Sequence, residues 1–304
     1  MILETSPFRT YFMRLLISCA TAIILLTGCH HGHCAEKKLN IVAATFPVYI
    51  FTKNVCAGVN DIDLQLLVPA SAGCPHDFAL KPADIQKLSR ADILIINGAG
   101  LEEFLAKPLD SLERKPFIID AGTNVPVLEA LNETDHQHVN PHIFAAPAEA
   151  ALMTANIGQK LADRNPANAE TYLSNSRAYA DKLVAISEQF RQVGKKAANR
   201  GIAIEHDALA YMAQNADLVI VASLESNASA GQIAQTKKIL QNTSPALLAG
   251  DSQYPDRLLK ALAQETGIPF AQLNPCASGP DEAPQDYYER IMRENLGLLE
   301  KYFD

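Results

Sequence analysis

Between Pro166 and Asn199 the chain contains no internal proline, and its only glycine, Gly194, lies near the end. Within that stretch Tyr172, Ser176, Tyr179, Leu183, Ile186, Phe190 and Val193 recur in steps of three and four, a single apolar stripe at helical spacing. Pro166 suits a first helical position and Gly201 follows the end. The pattern predicts one helix over 166–200, roughly 50 Å long at about 1.5 Å per residue. Pro147–Arg164, directly before it, is itself helical in pattern. A packed helix of this length is an unusual connector and resists large closure of whatever it joins.

What it joins reads as two α/β blocks. In the first, short apolar runs at Ile41–Thr45, Leu64–Val68, Ile93–Asn97 and Phe117–Asp120 predict buried strands, alternating with helices at Val48–Ala57, Pro82–Arg90 and Leu101–Lys107. In the second, strands are expected at Ile202–Glu205, Leu218–Ala222, Ala246–Gly250 and Phe270–Leu273. Helices are expected at Leu209–Gln214, Gly231–Gln241, Pro255–Thr266 and Gln285–Lys301. Such alternation implies parallel sheets with helices on both faces. The expected class is therefore α/β, with two parallel-sheet lobes (39–165 and 201–304) joined by the long helix.

The N-terminus is of a different kind. After Arg14, residues 15–26 form an apolar run of the length of a signal-peptide core, too short to span a bilayer comfortably. Leu26-Thr27-Gly28-Cys29 follows and resembles the bacterial lipobox, which implies a signal peptide over 1–28, lipidation of Cys29 and a polar tether over 29–38. Met13-Arg14 alone would serve as a charged start, so Met13 is an alternative first residue to Met1. The net charge of −8, without basic stripes, argues against a nucleic-acid partner. Export to an oxidising compartment leaves Cys34, Cys56, Cys74 and Cys276 to consider, too few for a disulfide scaffold in 304 residues.

Three histidines stand out by position. His76 lies in Gly73-Cys74-Pro75-His76-Asp77-Phe78, shortly after a strand. His142 lies in Asn140-Pro141-His142 ahead of a helix, and His206 directly follows a strand in Glu205-His206-Asp207-Ala208. Parallel sheets bind ligands beyond the carboxyl ends of their strands. Three imidazoles plus one further group make a common zinc site. A lone histidine at a strand end is more often a satisfied polar residue, so placement alone leaves the two readings balanced.

Gly73–Ile85, with Leu88 and Ala91-Asp92 after it, resembles the first signature of the metal-binding lipoproteins of ABC importers, the ZnuA/TroA-like, cluster 9 solute-binding family. Asn140-Pro141-His142 followed by Pro147 is similar to the second, where Asp-Pro-His is commoner, and Glu205-His206-Asp207-Ala208 with Tyr211 is similar to the third. The resemblance runs from Leu39 onward and includes the long helix. It implies an extracytoplasmic, lipid-anchored receptor, not an enzyme. Such a receptor takes up a transition-metal ion in the interlobe cleft through His76, His142 and His206 and delivers it to the permease of an ABC transporter. The fourth family ligand, often an Asp, falls at Asn274, a departure that argues for Zn2+ over the harder Mn2+. Asp251 and Asp281 are further carboxylates on expected cleft-side loops, with solvated loop acids as the alternative. His136 and His138 make a short version of the histidine-rich loop of zinc-type members.

Two residues from His76 and from Asn274 stand Cys74 and Cys276. If His76 and Asn274 both face the metal, these sulfurs lie on opposite lips of one cleft. They then form a bridge, bring a thiolate near the metal, or remain two unpaired small apolar residues. Other functions stay open at this stage. A zinc hydrolase needs a general base beside a metal-bound water, and no His-Glu-x-x-His motif is present. An adhesin retaining the fold is a further alternative.

Overall fold

The computed structural model describes residues 38–303 except 74, 76–77, 132–138 and 226. The expected signal peptide, Cys29 and the tether up to residue 37 lie outside the described residues. The first lobe contains β1 (Leu39–Ala43), α1 (Phe46–Val55), β2 (Ile62–Leu66), α2 (Pro82–Arg90), β3 (Ile93–Ile96), α3 (Ala106–Asp110) and β4 (Phe117–Asp120). A short antiparallel pair, β5 (Leu128–Glu129) with β6 (Val139–Asn140), leads to α4 (Pro147–Arg164) and α5 (Ala169–Lys196). The second lobe follows as β7 (Gly201–Ile204), α6 (Ala208–Asn215), β8 (Val219–Ser223), α7 (Ala230–Thr243), β9 (Leu247–Asp251), α8 (Arg257–Thr266), β10 (Phe270–Leu273) and α9 (Tyr287–Phe303).

The two main sheets are parallel, in the orders β2-β1-β3-β4 and β10-β9-β7-β8. Counted within each lobe, both read 2-1-3-4. In each, the strand order therefore reverses between the first and third strands, and a crevice opens beyond their carboxyl ends at that point.

Each central strand is apolar on both faces because both faces are covered. Ile41 and Ala43 of β1, and Ile93 and Ile95 of β3, belong to one cluster, while Val42 and Leu94 point the other way toward Leu88 and Leu105. In the second lobe Ile202, Ile204, Leu247 and Ala249 face that first cluster, and Ala203 and Leu248 face Leu240, Leu259 and Leu262. This is the period-two alternation of a strand. It sorts the interior into one core shared by both lobes and a smaller outer core for each.

The shared core is built around α4 and α5. The stripe expected from sequence, Tyr172 to Val193, is buried throughout. A side chain at Gly158 of α4 would overlap Ser176 Oγ, so the two helices cross at a contact that only glycine allows. Polar ties accompany the packing: Tyr179 Oη donates to Glu289 Oε2 on α9 at 2.9 Å, and Tyr288 Oη donates to the Phe144 carbonyl at 2.8 Å.

Several boundaries differ from the sequence reading. The long helix has 28 residues, because Pro166–Asn168 forms a separate 3-10 turn. Strand β2 lies at Ile62–Leu66 rather than 64–68, set by pairing of Leu39 with Ile62. Leu101–Lys107 divides into a 3-10 turn at Glu103–Leu105 and the short α3. The β5–β6 pair was not anticipated, since two-residue strands carry no readable period. Among the described residues no helix is long and apolar enough to cross a membrane.

One core running through both lobes makes their stabilities interdependent. Phe190→Ala, at a position with no solvent exposure, should cost about 3–5 kcal/mol. Calorimetry of the variant should show a single transition at lowered temperature. Two separated transitions, with one lobe keeping its stability, would contradict a shared core.

Candidate metal centre

His206 stands at the carboxyl end of β7, at the point where the order of the second sheet reverses. Its φ of 74° lies in the left-handed region, turning the chain sharply from strand into α6. Asp251 ends β9, the strand on the other side of the reversal, and is completely buried. His206 Nδ1 lies 2.9 Å from Asp251 Oδ2. A carboxylate only accepts, so Nδ1 carries the proton and the lone pair of the neutral ring is on Nε2. Gln253 holds the carboxylate in turn, donating its backbone N–H to Oδ1 at 2.9 Å.

His142 enters from the first lobe. It follows β6 and precedes a 3-10 turn at Ile143–Ala145. Its Nδ1 lies 2.9 Å from Asn140 Oδ1, which also accepts the His142 backbone N–H at 3.1 Å. Asn140 Nδ2 donates to the Asp207 carbonyl at 2.8 Å. That contact requires an N–H, so the amide oxygen is the atom that faces the imidazole. Nδ1 is again the protonated nitrogen and Nε2 the basic one. Upstream, the Pro141 carbonyl accepts from Asn97 Nδ2 at 2.9 Å, beyond the carboxyl end of β3. The Asn97 turn is itself held by Glu102, whose carboxylate accepts the N–H groups of Asn97 and Gly98. Burial raises the Glu102 pKa to about 8 against the lowering effect of those bonds.

The two imidazoles meet across the lobes. Their centroids are 4.8 Å apart at 74° between ring planes. Phe144 lies edge-on to His142 at 5.9 Å and Tyr254 to His206 at 5.2 Å. Both residues are almost fully buried, with His142 3% and His206 8% exposed. Two preoriented, basic Nε2 atoms on almost fully buried residues suit a borderline-soft divalent cation. Among the described residues no three His, Cys, Asp or Glu side chains form a complete cation cage. His76 lies outside the described residues, as do Cys74, His136 and His138. Gly73, three residues before His76, approaches Gln253 closely enough that an added Cβ would sit 3.0 Å from Gln253 Oε1.

Among the described residues, Asn274, Asp281, Cys276 and Asp251 are the remaining candidates from sequence. Asn274 Oδ1 accepts the Cys276 backbone N–H at 2.8 Å, and Asn295 brackets the Asn274 backbone, so its amide oxygen caps a turn. Asp281 is exposed. Cys276 is a free, completely buried thiol with a φ of 64°, and burial, with Glu289 nearby, pushes its pKa far up. Among the described residues it has no disulfide partner. Asp251 is at the site, as the support of His206.

Asn140 and Gln253 are contributors that the sequence reading missed. The signal for Asn140 was present: an Asn two residues before a histidine is at the spacing of an Asx turn. Glu205, beside His206, is also buried. Burial raises its pKa to about 7, and neither carboxylate oxygen has a hydrogen-bond partner among the described residues.

The Asp251–His206 pair sets a pH dependence for the metal-free protein. Burial lowers the His206 pKa, but the hydrogen bond and charge of Asp251, with Glu225 and Asp207, raise it by more, to a net value above 6.5. Stabilisation from the pair is therefore complete below about pH 6.5 and lost as pH rises through the folded value. Denaturant unfolding under chelation should show Asp251→Asn losing more stability at pH 6 than at pH 8.5. A stability gap independent of pH would refute this assignment.

Comparison with known proteins places this crevice in a family. The chain is 26% identical over 306 residues to the zinc-binding lipoprotein AdcA of Streptococcus pneumoniae, covering 95% of this chain and 60% of that protein. It thus spans less than two thirds of that relative's length. It is 27% identical over 305 residues to the high-affinity zinc uptake system protein ZnuA of Bacillus subtilis, covering 92% of this chain and 94% of that one. The fold is shared with the solute-binding protein FpvC of Pseudomonas aeruginosa in complex with Ni2+, with a TM-score of 0.77 and 24% identity over 88% of this chain and 97% of that one. It is shared as well with the laminin-binding protein Lmb of Streptococcus agalactiae, with a TM-score of 0.75 and 20% identity over 88% of this chain and all of that one. The family model for the periplasmic zinc-uptake complex component A matches residues 41–302. The chain, with its two 2-1-3-4 lobes and its crossed imidazoles, belongs to the ZnuA family.

Proposed function

We propose that this protein is the extracytoplasmic binding component of an ABC importer, capturing one transition-metal ion, zinc before manganese, and delivering it to a membrane permease. The reading rests above all on the meeting of His142 and His206, one from each lobe, with each Nδ1 committed to an oxygen and each Nε2 basic. His76 is the third ligand in this proposal, and the fourth position is left to water or cargo-borne groups. The names of the AdcA and ZnuA relatives support zinc. An imidazole set without a ligating carboxylate supports the same choice on chemical grounds. His136 and His138 belong to an accessory loop, and Cys29 carries the lipid that holds the protein at the cell envelope. The division into lobes at 39–165 and 201–304 about the helix 166–200 is part of the same proposal. The function requires no turnover: the ion is bound, carried and released.

Binding and release then involve small motions. The core shared through α4 and α5 opposes a wide hinge opening, so exchange of the ion relies on loops and side chains at the crevice. Replacing His76, His142 or His206 singly by Ala should weaken zinc binding by orders of magnitude while far-ultraviolet dichroism stays unchanged. Titration calorimetry showing wild-type affinity in all three variants would disprove the ligand set. In equilibrium dialysis with equal total zinc and manganese, zinc should occupy the site, and preferential loading of manganese would overturn the choice of ion.

A further inference from the structure

Asn140 touches both halves of the site. Its Oδ1 holds the His142 ring and backbone N–H, while its Nδ2 donates to the carbonyl of Asp207, the residue that follows His206. Its own carbonyl accepts from Tyr211 Oη at 2.7 Å. The same hydroxyl accepts the Leu128 N–H at 3.0 Å, and Asp207 Oδ2 accepts the Leu131 N–H at 2.8 Å. Asn140 is completely buried and Tyr211 nearly so. The base of the β5–β6 pair is thereby fastened to the start of α6 by bonds in both directions.

This chain carries an amide where the resembled signature more often has a carboxylate, and its contacts use both ends of that amide. A carboxylate would still accept from His142, and would do so more strongly because it is charged. It could not donate to the Asp207 carbonyl, and it would set a negative oxygen against that carbonyl's own oxygen. An aliphatic residue would lose both contacts. The two imidazoles also differ in their support: His206 is backed by a buried anion, His142 by a neutral group. From these contacts we infer that Asn140 is a positioning residue whose amide fixes the distance and angle between the two imidazoles, by holding one ring while bonding the backbone beside the other. The inference rests on His142 and His206 being metal ligands.

The experiment compares wild type, Asn140→Asp, Asn140→Ala and Tyr211→Phe by zinc titration calorimetry, by the visible absorption of the Co2+-loaded proteins, and by nitrogen-15 imidazole spectra of the metal-free proteins. Tyr211→Phe removes only the hydroxyl on the Asn140 carbonyl and keeps the arm informative if an Asn140 variant fails to fold. Asn140→Asp should keep His142 in its Nδ1–H tautomer, yet weaken zinc binding about tenfold or more and shift the Co2+ spectrum. Asn140→Ala should lose the tautomer preference as well, and Tyr211→Phe should weaken binding about threefold to tenfold. Zinc affinity in Asn140→Asp and Tyr211→Phe equal to or tighter than wild type would overturn the role of the amide. Failure of the wild type to bind either ion would instead overturn the metal site itself, and the inference with it.

Discussion

Packing of α4 and α5 against each other, against α1 of the first lobe and against α6 and α9 of the second is the constraint from which the rest of the molecule follows. A helix whose buried stripe runs from Tyr172 to Val193 contacts two lobes with one side. Through those helices the inner faces of both sheets enter the same core, and the histidines that follow the strands meet in a common crevice. Burial of residues such as Leu183, Ile186 and Phe190 is worth about 1.5–3 kcal/mol each, and that contribution is shared between lobes. The geometry of the crevice is consequently a property of the core, and no flexible hinge is needed to set it.

On that frame the chemistry is placed by two similar arrangements of unlike residues. Both sheets reverse strand order between their first and third strands, and both reversal points lead to the imidazole pair. On one side the carboxylate ending β9 aligns His206; on the other the turn after β3 supports Pro141, and Asn140 aligns His142. In the proposed function each ring has its tautomer fixed before a cation arrives. Such preorganisation lowers the ordering cost of binding, as second partners of metal-ligating histidines do generally. The buried setting also strengthens the attraction between a cation and the Asp251 carboxylate behind His206.

Much of this was legible in the sequence, because the strongest signals were periodic. The helix stripe, the alternation of apolar runs with helices, and the histidines after strand ends all follow from local pattern. What was missed depends on chain direction at single residues. Cys276 turns with a φ of 64°, so Asn274 caps a bend and the cysteine goes into the core, not onto a cleft lip. Asp281 falls on the exposed side of the same loop. The β5–β6 pair, two residues a side, is held by contacts to Asp207 and Tyr211 from far along the chain, and local pattern does not encode them. Asn140 itself was visible as a departure from the commoner Asp, but the reason for an amide emerges only when Asp207 is brought against it.

The central claim is that imidazole nitrogens from both lobes hold the cation. Zinc K-edge X-ray absorption of protein loaded with one equivalent of zinc addresses it most directly. The account predicts a first shell of nitrogen and oxygen at about 2.0–2.1 Å, with no sulfur, and the outer-shell scattering of imidazole rings. A sulfur shell at about 2.3 Å, or a shell of oxygen alone without imidazole scattering, would contradict it.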